Sequence, residues 1–130
     1  MGKKTVLMIV DDDKDDSFFF QLAVKELGKD YDCVSAENGL DAIEKLNKME
    51  LLPDYIFLDL NMPLMNGKEC LTELKKSSTL CKIPVIMYST SNFSDDIQST
   101  KALGASYYLP KPANIVHLPE NITLAMLSAR

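Results

Sequence analysis

Short apolar runs alternate with longer segments of mixed polarity along this chain. An uninterrupted apolar run bounded by polar residues is typical of a strand that is covered on both faces. Such runs predict strands at residues 6–10, 31–36, 54–58, 85–89 and 106–109. The segments between them have helical spacing, so the chain has a βα rhythm. Right-handed crossovers then favour an open, doubly wound α/β fold with a five-stranded parallel sheet.

Several helix boundaries follow from the residues that flank these segments. Residues 94–96, Ser-Asp-Asp, offer N-caps and negative charge for a helix start. Gly28 and Gly104 are suited to helix C-termini because glycine adopts positive φ at no steric cost. Pro119 is tolerated in a first turn and breaks a helix interior, so the last helix is predicted to start near it rather than at Asn114.

Length and charge limit the classes of function. The 130 residues fit a single domain spanning residues 1–130, and the net charge of −5 is not offset by any tract rich in Lys or Arg. Direct binding to nucleic acid or to an anionic membrane is therefore disfavoured, and a protein partner is expected. Cys33, Cys70 and Cys81 are odd in number and lack a CxxC spacing, which predicts reduced thiols in a cytoplasmic protein.

Acidic residues follow two of the predicted strands. Asp11 and Asp12 end the first strand, and Asp59 ends the third. The carboxyl ends of parallel strands share one edge, where ligands bind in open α/β sheets. Two or three converging carboxylates predict a hard divalent cation, Mg²⁺, with coordination positions left open.

The acidic run at residues 11–16 has two further interpretations. Asp13, Asp15 and Asp16 are predicted to cap the first helix rather than to bind metal. A calcium-binding EF-hand loop requires Gly where this chain has Asp16 and Glu where it has Leu22, so that interpretation is excluded.

Four motifs together resemble the receiver domain of bacterial two-component response regulators. They are VDD at residues 10–12, DLNMPLMNG at 59–67, PVIMYST at 84–90 and YYLPKP at 107–112. They cover essentially the whole chain in the family's order and spacing. The resemblance implies a flavodoxin-like (βα)5 fold with strand order 2-1-3-4-5.

The resemblance also implies the chemistry of the acidic residues. Asp59 is expected to be the phosphoacceptor that attacks a phosphohistidine. Asp12, Asp59 and the backbone carbonyl of Asn61 are expected to ligate Mg²⁺, with Asp11 in the outer shell.

Three residues at the ends of the last two strands are implicated in the response. Lys111 is expected to pair with Asp59 or its phosphate, and Ser89 to hydrogen-bond a phosphoryl oxygen. Tyr108 is expected to turn inward when Ser89 moves; its pattern alone predicts a half-buried strand tyrosine. Thr90 departs from the small residue common in the family, and its bulk is expected either to slow access to the phosphoryl group or to adjust the switch.

The implied partners are a sensor histidine kinase or phosphotransfer protein and an unidentified downstream protein. The protein is expected to be a signalling switch that catalyses only its own phosphotransfer and dephosphorylation. Two alternatives remain: a receiver-like interaction module that is not phosphorylated, and a haloacid-dehalogenase-type phosphatase. The latter is disfavoured because Asn61 stands where that class needs a second Asp. His117, the only histidine, is predicted to be a surface residue.

Overall fold

The structure, a computed structural model, describes residues 3–129. Its five strands form one parallel sheet in the order β2-β1-β3-β4-β5, which confirms the predicted fold and strand order. The strands are β1 (Thr5–Val10), β2 (Tyr31–Ala36), β3 (Tyr55–Leu58), β4 (Val85–Ser89) and β5 (Tyr107–Pro110). The helices are α1 (Lys14–Leu27), α2 (Gly39–Lys48), α3 (Gly67–Lys76), α4 (Ser94–Ala102) and α5 (Leu118–Ser128), the last preceded by a short 3₁₀ turn at Ile115–His117.

Most of the predicted helix ends are confirmed. Gly28 follows α1 with φ 122° and Gly104 follows α4 with φ 110°. Pro119 lies in the first turn of α5, as predicted. The capping prediction for residues 94–96 is wrong, because Phe93 occupies the N-cap of α4 and no side chain caps that end.

The two faces of the sheet carry separate apolar clusters. Met8, Leu58 and Met87 pack on one face under α2 and α3, and alternate residues of the same strands pack on the other face under α1 and α5. Because side chains alternate along a strand, a sheet covered on both faces needs apolar residues at every position. This explains the uninterrupted apolar runs in the sequence.

Cys33 and Cys70 pack in the two apolar clusters of the fold. Cys70 is buried, Cys33 and Cys81 are partly buried, and all three are free thiols. Burial raises the pKa of Cys33 and of Cys70 to about 12, so these thiols stay protonated and unreactive at neutral pH. Among residues 3–129, every helix is too short or too polar to cross a bilayer.

Candidate functional site

The sheet itself places two of the predicted acidic residues side by side. The Asp11 amide donates to the Ala36 carbonyl at 3.1 Å, and the Asp59 amide donates to the Val10 carbonyl at 3.0 Å. Each residue therefore continues the hydrogen-bond ladder one step beyond its strand. Asp11 and Asp59 consequently meet at the carboxyl edge of the sheet.

Three carboxylates converge at this edge, as predicted. Asp11, Asp12 and Asp59 each place one oxygen within 4.8 Å of the others. Asp11 and Asp59 are buried, whereas Asp12 is exposed. The Asp13 amide donates to Asp11 Oδ1 at 2.9 Å, and the Leu60 amide donates to Asp59 Oδ1 at 2.9 Å. These backbone donors orient the two buried carboxylates.

Lys111 supplies a positive charge to this cluster. Its amide donates to the Ser89 carbonyl at 2.8 Å, which places the residue directly after β5. Its Nζ lies 2.8 Å from Asp11 Oδ2, 2.7 Å from Asp16 Oδ2 and 3.7 Å from Asp59 Oδ2. The expected pairing with Asp59 is thus the longest of the three contacts.

Two neighbours of Lys111 were missed by sequence reasoning. The prediction that Asp16 caps α1 is wrong, because Asp13 is the N-cap and accepts from the amides of Asp15 and Asp16. The Asp16 carboxylate is therefore free to bond Lys111. The ring of Tyr88 lies below the ammonium, with its centroid 5.5 Å from Nζ. No local pattern links either residue to a lysine so distant in the chain.

The charges in the cluster are unbalanced. Burial, and then repulsion by Asp11, raise the pKa of Asp59 to about 7. Burial also raises the pKa of Asp11, although Lys111 opposes the shift. Burial alone would lower the pKa of Lys111, but its bonds to Asp11 and Asp16 outweigh burial and raise it. The ammonium stays charged, and the carboxylates still carry excess negative charge.

The site has the donor set of a hard divalent cation. Asp11 Oδ2 is buried and is paired with the Lys111 ammonium at 2.8 Å. Together with the neighbouring oxygens of Asp12 and Asp59, it offers the carboxylate ligands that Mg²⁺ and Mn²⁺ prefer. The residues present therefore fit a divalent metal.

The loop after β3 closes tightly over the site. The Gly67 amide donates to the Leu60 carbonyl at 2.8 Å, and a Cβ at Gly67 would overlap the Asp59 carbonyl oxygen. Only glycine fits this close approach. Asn61, whose carbonyl is the expected ligand, is an exposed residue of the same loop.

Ser89 and Tyr108 are connected through the loop that follows β4. Ser89 is fully buried, and its Oγ accepts from the Ser91 amide at 3.2 Å. The half-buried Tyr108 donates its hydroxyl to the Ser91 carbonyl at 2.6 Å. Thr90, between them, is exposed, and His117 is exposed at the start of α5, as predicted for a surface residue.

The chain is similar in sequence to several characterised proteins. It is 33% identical over 118 residues to response regulator Rcp1 of Synechocystis sp., covering 87% of this chain and 80% of Rcp1. It is also 31% identical over 107 residues to a protein-glutamate methylesterase/protein-glutamine glutaminase of Methanococcoides burtonii, covering 78% of this chain but 29% of that longer protein.

Solved structures show the same likeness. The phosphorylated cyanobacterial phytochrome response regulator RcpA matches with a TM-score of 0.83 and 33% identity, over 90% of this chain and 87% of RcpA. The Mn²⁺-bound form of Rcp1 matches with a TM-score of 0.79 and 32% identity, over 89% of this chain and 87% of Rcp1. The sequence model of the response regulator receiver domain family matches residues 7–123 of this chain. The chain therefore belongs to the response regulator receiver domain family of two-component signalling proteins.

Proposed function

We propose that the protein is a switch in which Asp59 accepts a phosphoryl group from the phosphohistidine of a histidine kinase or phosphotransfer protein. The observation that carries this proposal is the position of Asp59, buried at the sheet edge with two further carboxylates and Lys111 around it. A carboxylate oxygen of Asp59 forms the new O–P bond. The N–P bond of phosphohistidine breaks, and the imidazole leaves with that electron pair.

Mg²⁺ is proposed to occupy the carboxylate cluster. Asp12, Asp59 and the backbone carbonyl of Asn61 would hold it, and Asp11 would act from the outer shell. The three converging carboxylates and the Mn²⁺-bound form of the similar Rcp1 support a divalent ion here. When bound, the ion neutralises charge on the phosphoryl oxygens.

Lys111 is proposed to contact the phosphoryl group as a fixed positive charge. Its side chain is nine-tenths buried and its Nζ lies 3.7 Å from Asp59 Oδ2, so little rearrangement is needed to reach a phosphoryl oxygen. The bonds to Asp11 and Asp16 hold it protonated and in place. This preorganisation favours an anionic phosphoryl group over the free carboxylate.

The response is proposed to leave the site through Ser89 and Tyr108. Ser89 would bond a phosphoryl oxygen, and the movement would change the surface formed by α4, β5 and α5. A partner that prefers the changed surface binds the phosphorylated form more tightly, and couplings of this kind are typically about 1–3 kcal/mol. The negative net charge supports a protein as the downstream partner.

Phos-tag electrophoresis after incubation with acetyl phosphate and Mg²⁺ tests the acceptor. Wild type and Asp15→Asn, an exposed matched control, should show a shifted band, and Asp59→Asn should not. An unshifted wild-type band would favour the unphosphorylated interaction module. A phosphoryl group found on Ser89 by mass spectrometry would identify a different acceptor, and turnover of p-nitrophenyl phosphate would favour a phosphatase.

A second variant separates the chemistry from the response. Ser89→Ala should still be phosphorylated on Asp59, because the acceptor and metal ligands are unchanged. It should lose most of the change in amide exchange that beryllofluoride induces around α4 and β5 in wild type. An unaltered exchange response in Ser89→Ala would exclude this route.

A further inference from the structure

Ser91 is the centre of the loop between β4 and α4. Its amide donates to Ser89 Oγ at 3.2 Å, and its carbonyl accepts the Tyr108 hydroxyl at 2.6 Å. Its own hydroxyl donates to Asp96 Oδ2 at 2.6 Å and accepts from the Phe93 amide at 3.4 Å. Every polar group of this one residue is therefore bonded, and two of the bonds lead to the proposed switch residues.

Asp96 connects this loop to two helices. Its Oδ1 accepts from Lys68 Nζ, in the first turn of α3, at 3.1 Å. Its main-chain carbonyl accepts from the hydroxyl of the buried Thr100, one turn later in the same helix α4, at 2.7 Å. The Ser91 hydroxyl, and then Lys68, hold the pKa of Asp96 below its usual range, so the carboxylate remains ionised at neutral pH.

We propose that Lys68, Asp96 and Ser91 form a clasp that holds this loop where the Ser91 carbonyl accepts the Tyr108 hydroxyl, before any phosphoryl group reaches Asp59. The three are positioning residues and do not contact the reacting atoms. Lys68 fixes the Asp96 carboxylate, and Asp96 fixes the Ser91 side chain. A fixed Ser91 presents its carbonyl to the Tyr108 hydroxyl, and the Tyr108 ring packs against the apolar cluster under α2 and α3.

The clasp has a consequence for signalling that rests on the proposed function. If phosphorylation also favours the bonded Tyr108 arrangement, the clasp and the phosphoryl group act on the same equilibrium. The clasp then sets how much of the protein adopts this arrangement without phosphate. Opening the clasp lowers that basal fraction and leaves the acceptor chemistry of Asp59 unchanged.

The test observes Tyr108 directly. Protein labelled with 3-fluorotyrosine is studied by ¹⁹F NMR in EDTA, without phosphodonor, and the Tyr108 resonance is assigned with Tyr108→Phe. Ser91→Ala keeps the amide and carbonyl of Ser91 but removes the bond to Asp96. It should reduce the ratio of bonded to unbonded Tyr108 by roughly 2- to 10-fold, the range expected for loss of one hydrogen bond.

Further variants separate positioning from a general loss of stability. Lys68→Met should shift the Tyr108 resonance in the same direction as Ser91→Ala does. Lys68→Arg keeps the positive charge and should leave the resonance at its wild-type position. As a control, Asp95→Asn removes a negative charge from the exposed residue next to Asp96 and should leave the Tyr108 resonance unchanged. A Tyr108 resonance that is identical in wild type, Ser91→Ala and Lys68→Met would overturn the clasp, even if both variants are less stable.

Failure of the clasp is distinguishable from failure of the proposed function. The ¹⁹F measurement uses neither metal nor phosphoryl group, whereas Phos-tag electrophoresis uses both. Ser91→Ala and Lys68→Met should be phosphorylated as wild type is. A loss of phosphorylation in both variants would contradict a purely positioning role.

Discussion

Lys111 Nζ lies 2.8 Å from Asp11 Oδ2, although β1 and β5 are separated by two strands in the sheet. The lysine side chain spans this distance across the carboxyl edge, above the ring of Tyr88. Its charge is shared with Asp16 and leaves Asp59 with the longest contact. Three clustered carboxylates therefore share one buried lysine, and without a metal ion the site carries excess negative charge.

Magnesium should stabilise the wild-type protein and not Asp12→Ala. Ligand binding to the folded state adds about 1.4 kcal/mol of unfolding free energy when the ligand is at ten times its Kd. Asp12 is exposed, so Asp12→Ala should fold normally and, without metal, should be at least as stable as wild type because a repulsion is removed. Thermal unfolding with and without Mg²⁺ measures this, with Asp15→Ala as the control. Equal stabilisation of wild type and Asp12→Ala would contradict the ligand assignment.

Without metal, Asp59 should make the protein less stable as pH rises. Its folded pKa of about 7 exceeds the ordinary value of 3.8, so the folded state binds the proton more tightly than the unfolded chain does. The contribution of protonated Asp59 to the free energy of unfolding is fully present below about pH 4. It is lost as pH rises through 7, by an amount on the order of 2–4 kcal/mol.

Asp59→Asn isolates this contribution because an amide resembles the protonated carboxyl group in shape. In EDTA, the variant should match wild type near pH 4 and become more stable than wild type by pH 8. Urea denaturation across this range measures the difference. Parallel stability curves for the two proteins would show that the carboxyl group ionises normally in the fold.

Removing Lys111 should destabilise the metal-free protein by about 3 kcal/mol, because Asp11 would be left as a buried charge without its ionic partner. Mg²⁺ should restore part of the loss by replacing the missing positive charge. Urea denaturation of Lys111→Ala with and without Mg²⁺ tests this. Lys76→Ala, which removes an exposed ion pair with Glu73, should change stability by less than about 0.5 kcal/mol. A similarly small change for Lys111→Ala would contradict the buried ion pair.

Gly67→Ala should displace the loop that carries Asn61 and disturb the site. The added Cβ would overlap the Asp59 carbonyl oxygen and lie 2.7 Å from Leu60 Cα, and backbone atoms cannot move aside cheaply. We expect a loss of more than about 3 kcal/mol and weaker Mg²⁺ binding. Gly28→Ala has open space but a φ of 122°, so it should cost stability through strain without affecting Mg²⁺. Denaturation and magnesium titration compare the two variants.

The sequence determined the fold and most of the site because both depend on local patterns. Apolar runs covered on both faces implied a parallel sheet, and parallel strands bring their carboxyl ends to one edge. This pattern alone predicted that Asp11 and Asp59 lie together, and the motif at residues 107–112 predicted that Lys111 joins them. Pro119 located the start of α5 because its ring permits only a first-turn position.

Only the tertiary structure decided which polar groups pair across the edge. From the sequence, Asp13, Asp15 and Asp16 are equally good helix caps. In the structure, Asp13 caps α1 and Asp16 pairs with Lys111. Likewise, residues 94–96 looked like a cap, but Asp96 bonds Lys68 and Ser91. The partner of a side chain depends on the distances between elements that are remote in sequence, and local sequence patterns do not predict those distances.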